Sequence, residues 1–240
     1  MIKGISSADL GTPDYFLSLI QHREYIGALE SLGLQISVLP PDSRFPDSTF
    51  VEDVALCTSK MAVITNPGAS SRNGEKAEME RVLPSFFKYI ERLDKPGTLD
   101  AGDVMMAGNH FFIGISDRTN NEGAEQLIQI LNKYNMSGEK IDIEGILHLK
   151  SGVSFLEKET ILVQEKLYKH KAFSKFRKIM VPGGEEYAAN SLWVNGTVLV
   201  PENFPKTKLL IEEAGYPTIT LHVSEFEKLD GGLSCLSLRF

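Results

Sequence analysis

The chain has 240 residues and a mass of 26.6 kDa, so at about 150 residues per domain it forms one large domain or two small ones. Apolar residues make up 42% and charged residues 24%, a composition that excludes a disordered chain. The net charge of −7, without a basic stripe, would repel a nucleic-acid backbone. No secretory leader and no run of 18 apolar residues occurs, so we expect a cytoplasmic protein that does not bind membranes.

The predicted elements repeat the order strand, tight turn, strand and helix. A first helix is predicted over 13–32, and a last strand is predicted over 235–238. The strongest turn signal is Asn195-Gly196, a pair typical of two-residue hairpin loops. The predicted hairpins lie at 53–65, 103–114, 153–163 and 191–200, and the helices that follow them lie at 75–87, 121–132, 166–173 and 206–214.

Repeats of roughly 40 to 50 residues cannot bury their own apolar faces, so they stack or close on one another. We expect an α/β ring of about five units, with an ordinary α/β sheet as the alternative. Equivalent positions in a ring face one axis, so polar residues at the hairpin openings would converge there. These residues are Asp53, Asp100, Asp103, His148, Asn190 and Cys235.

The two cysteines are expected to be free thiols with different roles. Cys57 lies within an alternating strand, which favours core packing. Cys235 follows Gly231-Gly232, where the backbone can turn sharply or approach a ligand, so a nucleophile and a packed core thiol are both open.

Of the five histidines, only His148 precedes a hairpin in an apolar frame. Such a histidine is commonly a hydrogen-bonded core residue, but a nucleophilic thiol needs a base, and pairing with Cys235 favours that role. Asp100 would orient His148 as the third member of a set, with a local turn contact as the alternative.

Three carboxylates, Asp47, Glu52 and Asp53, lie within seven residues beside apolar side chains. Buried carboxylates need cations or donors. The chain has no metal-ligand spacing, so an organic cation is the expected partner, with an exposed acidic loop as the alternative. Arg72 and Arg118 follow strands in equivalent loops and would suit a ligand carboxylate, or else serve as surface charges.

Eight segments together carry a family resemblance that covers essentially the whole chain: SSADLGTP, LPPDSRFPDSTFVEDVALCTS, NPGASSR, LDAGD, RTNNEGA, HLKSG, YAAN and DGGLSC. With these segments the chain resembles the bacterial dimethylarginine dimethylaminohydrolases of the guanidine-modifying superfamily. The resemblance implies one catalytic domain over 1–240. Its fold would be a five-bladed α/β propeller with pseudo-fivefold ββαβ repeats around a central active site.

The same resemblance implies a role for each candidate residue. Cys235 would be the nucleophile, His148 the general acid and base, and Asp100 the carboxylate that holds His148. The three carboxylates near 47–53 would bind the substituted guanidinium. The two arginines would bind the α-carboxylate of the substrate. Leu10 and Leu229 would form part of a lid that includes residues 4–12. The implied substrate-binding residues are Leu10, Asp47, Glu52, Asp53, Arg72, Arg118 and Leu229.

The histidine motif bears on the substrate. The related arginine deiminases carry His-x-Asp, whereas this chain has His148-Leu149-Lys150. Loss of that acid favours methylated over unsubstituted guanidinium. Asp100 replaces a Glu that is frequent in the family, and its shorter arm should weaken the contact with His148.

The implied activity is hydrolysis of dimethylarginine or monomethylarginine to citrulline, without cofactor or metal. Arginine deimination, hydrolysis of another guanidine and a non-catalytic amino-acid-binding ring are the alternatives. Agmatine is disfavoured because it has no carboxylate for the arginines to bind. We expect a small-molecule substrate as the partner, with self-association as a homodimer left open.

Overall fold

The computed structural model describes residues 1–240. The chain divides into two compact units, one made of Met1–Thr49 and Gly152–Ser234 and the other of Phe50–Ser151 and Cys235–Phe240. None of the helices combines the length and the apolar character needed to cross a membrane. A single catalytic domain over 1–240 stays a prediction. The helices are α1 (Tyr15–Ser31), α2 (Lys76–Val82), α3 (Asn121–Lys133), α4 (Leu149–Gly152), α5 (Glu165–Tyr168), α6 (Pro205–Glu213) and α7 (Ser224–Glu227).

The unit that contains Phe50–Ser151 holds two three-stranded sheets of the same topology. In each sheet the first two strands form an antiparallel hairpin and the third strand pairs parallel to the second after a helical crossover. Leu99, Phe111 and Leu127 are fully buried in its core. The strands are β1 (Ala55–Cys57), β2 (Ala62–Ile64) and β3 (Ile90–Arg92), then β4 (Val104–Ala107), β5 (His110–Ile115) and β6 (Ser137–Asp142).

The other unit repeats this arrangement twice. Its middle strands are apolar and buried, and Leu162, Val198 and Ile211 are fully buried in its core. The predicted α/β class and the ββαβ repeat are therefore confirmed in four sheets. The strands are β7 (Val153–Glu157), β8 (Thr160–Val163) and β9 (Arg177–Met180), then β10 (Leu192–Val194), β11 (Thr197–Pro201) and β12 (Thr218–Leu221).

Local sequence signals explain the best-predicted boundaries. Asn195 and Gly196 both have positive φ, 46° and 89°, as a type I′ turn between β10 and β11 requires. Asp14 caps α1, because its Oδ1 accepts from the backbone N–H groups of Phe16 and Leu17 at 2.8 and 3.1 Å. The predicted helix over 13–32 is thus confirmed as α1.

Two helices are shorter than predicted. The helix expected over 75–87 ends as α2 at Val82 and continues as a short 3₁₀ turn that contains Pro84, which lacks the N–H needed for an α-helical bond. The helix expected over 166–173 is only the single turn α5, followed by a second turn at Lys171–Phe173.

The strand predicted over 235–238 is wrong. Ser234–Leu236 forms one 3₁₀ turn, and residues 237–240 have no regular structure. Leu233 and Leu236, three residues apart, are both buried, and one turn of a 3₁₀ helix places such residues on the same side. The apolar frame of His148, residues 146–150, leads directly into a helix, because α4 begins at Leu149.

Candidate active site

A short 3₁₀ turn, Val51–Val54, presents two adjacent carboxylates just before β1. The Thr65 hydroxyl donates to the backbone oxygen of Asp53 at 2.7 Å and so ties the turn to the end of β2. Glu52 and Asp53 are only 4% and 3% exposed. The expectation that at least one of the three acids near 47–53 leaves solvent is confirmed.

Asp53 is held from two sides. Its Oδ1 accepts from the Gly102 N–H at 3.1 Å, and its Oδ2 forms an ion pair with Arg72. Burial alone would raise the pKa of Asp53, but Arg72, His148 and Lys150 together hold that pKa below its ordinary value. A Cβ at Gly102 would lie 2.6 Å from Asp53 Oδ1 and 3.1 Å from the His148 ring, so only glycine fits between them.

Arg72 is a buried partner of these acids. Its guanidinium donates to Asp53, to both carboxylate oxygens of Glu75 and to the Phe50 carbonyl oxygen. Burial acts to lower the pKa of Arg72, and the two carboxylates outweigh that effect and raise it. The role predicted for Arg72, binding a substrate carboxylate, stays a prediction, and its present contacts orient Asp53.

Arg118 lies half-buried in the loop after β5. Its backbone N–H donates to the Ser116 hydroxyl at 3.0 Å. Its backbone passes so close to Gly68 that a Cβ there would lie 2.4 Å from the Arg118 carbonyl oxygen. This contact brings the loop of Arg118 against the loop that leads to Arg72, as the equivalent positions in the sequence suggested.

His148 and Asp100 form a hydrogen-bonded pair. His148 Nε2 lies 3.3 Å from Asp100 Oδ2, and the other oxygen of Asp100 accepts from the Gly68 N–H at 2.9 Å. The predicted contact is thus present, at the long end of the hydrogen-bond range. Burial would lower the pKa of His148, but Asp53 and the bond to Asp100, with help from Asp103, raise that pKa to about 9.

Asp103 fixes the backbone that carries His148. Its Oδ1 accepts from the Leu149 N–H at 2.9 Å, and its Oδ2 accepts from the hydroxyls of Ser116 and Thr119, both at 2.6 Å. The side chain is fully buried, and burial is the main reason that the pKa of Asp103 is raised. Asp100 therefore holds His148 through the ring, and Asp103 holds it through the backbone.

Removal of the Asp103 carboxylate is expected to destabilise the protein. Asp103→Ala leaves three donors, two of them buried, without an acceptor, which should lower the free energy of unfolding by about 3 kcal/mol. Urea denaturation followed by circular dichroism measures the change. Asp103→Asn keeps one acceptor oxygen, so its free energy of unfolding should fall less than that of Asp103→Ala. Equal decreases for the two variants would contradict this account.

Asp53, Asp100 and His148 each offer a ligand atom, and these atoms lie within 4.8 Å of one another. The spacing would allow a metal ion. However, Asp53 already pairs with the Arg72 guanidinium and Asp100 with the His148 ring. The observed contacts therefore fit a protonated His148, whose ring Asp100 orients and whose positive charge Asp53 and Asp100 stabilise.

The two cysteines are free, and they differ in their surroundings. Cys57 lies in β1, where burial raises the pKa of its thiol to about 12 and makes it a poor nucleophile. Cys235 lies in the 3₁₀ turn Ser234–Leu236 and is 9% exposed. It belongs to the same compact unit as His148.

Three predicted substrate-binding residues lie in the unit that contains Met1–Thr49. Asp47 is buried, and its Oδ1 accepts from the Ile5 N–H at 2.9 Å. Leu229 is buried and Leu10 is 52% exposed. A Cβ at Gly4 would lie 2.6 Å from Asp47 Oδ1, so the predicted lid segment starts against this acid. Their roles in substrate binding stay predictions.

Two cations that bind Glu52 were not predicted from the sequence. Lys150 Nζ lies 2.6 Å from Glu52 Oε1, and Arg239 Nη2 lies 2.9 Å from the same oxygen. In the sequence, Lys150 stands out only because it replaces the acid of the His-x-Asp motif. Arg239 gave no signal, because nothing in its neighbourhood predicts a partner 187 residues away.

A family model described as arginine deiminase matches residues 45–184. In sequence, the chain is 47% identical to the N(G),N(G)-dimethylarginine dimethylaminohydrolase of Pseudomonas aeruginosa. The alignment is 241 residues long and covers 100% of this chain and 95% of that protein. One matching solved structure is that of the Pseudomonas aeruginosa protein, as a cysteine-to-serine variant in complex with citrulline. It matches with a TM-score of 0.98 and 47% identity, and the match covers 100% of this chain and 94% of that one.

A second solved structure is that of a dimethylarginine dimethylaminohydrolase in which a histidine is replaced by glycine, as an adduct with S-methyl-L-thiocitrulline. It also matches with a TM-score of 0.98 and 47% identity, over 100% of this chain and 94% of that one. The similarity thus extends over the whole fold.

Proposed function

Because the chain belongs to the dimethylarginine dimethylaminohydrolase family, we propose that it hydrolyses Nω,Nω-dimethylarginine to citrulline and dimethylamine, and monomethylarginine to citrulline and methylamine. It would be a hydrolase of C–N bonds in linear amidines. The observation that carries the proposal is the group of buried Asp53, buried Asp100 and half-buried His148, whose polar atoms lie within 4.8 Å of one another. Such a group can bind a cation and supply a proton beside it.

The substrate guanidinium is a cation at neutral pH, since its pKa is about 12 or more. Asp53 is kept ionised by its surroundings and is the first candidate to hold that cation, with Asp47 and Glu52 as the further acids. Arg118 is half-buried and would bind the α-carboxylate through a forked pair of N–H donors. Arg72 would contribute through Asp53, to which it is bound.

Covalent catalysis would begin with Cys235. Its thiolate attacks the guanidinium carbon, and a cationic substrate beside the thiol favours the thiolate form. The tetrahedral adduct breaks its bond to the dimethylamino nitrogen, which takes a proton from the His148 imidazolium. Dimethylamine leaves, and a thiouronium group remains bonded to the sulfur.

Hydrolysis of that intermediate would use the same histidine. His148, now neutral, takes a proton from water as the oxygen attacks the thiouronium carbon. The C–S bond then breaks, and the sulfur leaves as a thiolate with the bonding electron pair. Citrulline is formed, the surplus proton passes to solvent, and Asp100 holds the ring through both proton transfers.

The related structures support these assignments. The cysteine replaced in one and the histidine replaced in the other lie as far apart in their numbering as Cys235 and His148 do in this chain. The first of those variants is in complex with citrulline, the product expected here. The roles of Cys235, His148 and Asp100 in this chain remain part of the proposal.

Methylated arginine is the preferred substrate in this proposal because Lys150 occupies the position of the second acid in His-x-Asp. Its ammonium binds Glu52, so no carboxylate from this position faces the terminal guanidinium nitrogens. Arginine deimination is the second candidate, since the matching family model is that of arginine deiminase.

A citrulline-release assay with equal concentrations of asymmetric dimethylarginine, monomethylarginine, arginine and agmatine tests the proposal. We expect turnover of the two methylated arginines and little or none of the other two. Preference for arginine would keep the catalytic residues and contradict the substrate assignment. Absence of turnover with all four would favour the amino-acid-binding alternative.

We also propose a cytoplasmic protein that works without cofactor, metal, nucleic acid or membrane. Two free thiols suit a reducing compartment. The net charge of −7 disfavours a nucleic-acid partner. Self-association as a homodimer is tested by light scattering at assay concentration.

A further inference from the structure

The segment that carries Cys235 is not held by strand pairing. After the single turn Ser234–Leu236, residues 237–240 have no regular structure and pair with no sheet. A nucleophile must nevertheless be held within a fraction of an ångström of its reacting geometry. Side-chain contacts therefore bear directly on where this segment lies.

One such contact is an ion pair four residues beyond Cys235. Arg239 Nη2 donates to Glu52 Oε1 at 2.9 Å, while Nη1 donates to the Ser237 carbonyl oxygen at 2.8 Å and to the Ser237 hydroxyl at 2.7 Å. The Arg239 guanidinium thus binds Ser237 in its own segment and also joins this segment to the turn that precedes β1. It is 25% exposed, whereas Glu52 is 5% exposed.

The end of the segment is held by aromatic contacts. The Phe240 ring lies 4.6 Å from the Phe87 ring and 5.5 Å from the Phe86 ring, centroid to centroid, at inclined angles. Inclined ring pairs at these distances attract one another, and the Phe240 side chain keeps 63% of its surface exposed. Arg239 is therefore placed between an anchored end and the turn that carries the nucleophile.

The same Glu52 oxygen also binds the histidine segment. Lys150 Nζ lies 2.6 Å from Glu52 Oε1, and Lys150 is two residues beyond His148. Glu52 therefore joins the two chain segments that carry the expected nucleophile and the expected base. Because the carboxylate is nearly excluded from water, each of these charge-assisted bonds is poorly screened.

We propose that Glu52, through Lys150 and Arg239, is a positioning residue that sets the place of Cys235 relative to His148. The resemblance assigns Glu52 only to substrate binding, and it assigns nothing to Lys150 or Arg239. For its kinetic consequences this inference rests on the proposed function. It adds that the Glu52 carboxylate acts on kcat through two cations that do not touch substrate.

The test is a double-mutant cycle on citrulline release with Lys150→Met, Arg239→Met and the double variant. Both substitutions remove the charge and keep an apolar stem of similar length. Each single change should lower kcat by about tenfold to hundredfold, as expected for a misplaced nucleophile or base, and leave KM within about twofold. The kcat of the double variant should be little lower than that of the more impaired single variant, because both cations act through the same Glu52 oxygen.

Two further variants separate positioning from general destabilisation. Arg239→Lys restores a cation near Glu52 and should recover most of the lost kcat. Arg92→Met is the matched control, since Arg92 pairs with Glu80 on the surface at 3.2 Å with both side chains about half exposed. This control should retain full kcat.

Hydrogen exchange supplies a readout that needs no substrate. In Arg239→Met, the backbone amides of 235–240 should exchange about tenfold faster than in the unaltered protein, while Arg92→Met leaves them unchanged. Unchanged exchange in Arg239→Met would overturn the proposal, as would multiplicative kcat losses in the double variant or a rise in KM alone. If the unaltered protein releases no citrulline, the proposed function fails and the exchange result still decides the positioning role.

Discussion

Replacement of Cys235 by serine is expected to abolish citrulline release, with kcat lowered by about 10⁴-fold or more. A serine hydroxyl is far less acidic than a thiol, so it supplies almost no anionic nucleophile to attack the guanidinium carbon. The fold should be unaffected, because the two side chains differ by one atom in a turn that pairs with no sheet.

The measurement is citrulline release under saturating dimethylarginine, with circular dichroism to establish that the variant is folded. Mass spectrometry of acid-quenched enzyme should detect the covalent intermediate in the unaltered protein and not in Cys235→Ser. Cys57→Ala is the matched control, since Cys57 is buried in β1, and it should retain turnover. Near-normal activity of Cys235→Ser would remove Cys235 from the mechanism.

Replacement of His148 by asparagine is the second large effect, a fall in kcat of about 10²- to 10⁴-fold. In the proposed mechanism the imidazolium is the proton donor to the departing amine, and the neutral ring is the base for water. Because the pKa of His148 is raised to about 9, the unaltered enzyme holds the imidazolium at neutral pH and kcat/KM should fall as the pH rises through about 9.

Asp100→Asn removes a hydrogen-bonding anion that helps to raise the pKa of His148, so the alkaline limb should move to lower pH. An unmoved limb in this variant would show that another group titrates there. Assays at half-unit steps from pH 6 to 10.5 resolve the shift.

The free energy of unfolding should decrease as His148 loses its proton. The folded pKa of about 9 lies above the ordinary value of 6.5, so protonation of His148 favours the folded state. This contribution is complete below about pH 6.5 and is lost as the pH rises through 9. The difference in Tm between the unaltered protein and His148→Asn should therefore shrink over that range, and a difference that grows would contradict the assignment.

Much of the local structure could be predicted because its causes are local. The Asn195-Gly196 pair favours a type I′ turn by its backbone preferences alone, and the helix after Asp14 has its cap in the sequence. The approximate burial of Asp53 also followed from its apolar neighbours. The strand expected at 235–238 failed, because a short apolar run has no fixed structure until a neighbouring strand is present to pair with it.

The sequence by itself determined the repeat of hairpin and helix, the identity of the nucleophile and histidine candidates, and the family. These depend on residue type, spacing and resemblance, all of which are visible along the chain. Only the tertiary structure decided which charge meets which carboxylate: Arg72 binds Asp53, and Lys150 and Arg239 share Glu52. A buried charge takes the partner that folding brings within a few ångströms, and the strength of such a pair depends on burial, which sequence distance does not encode.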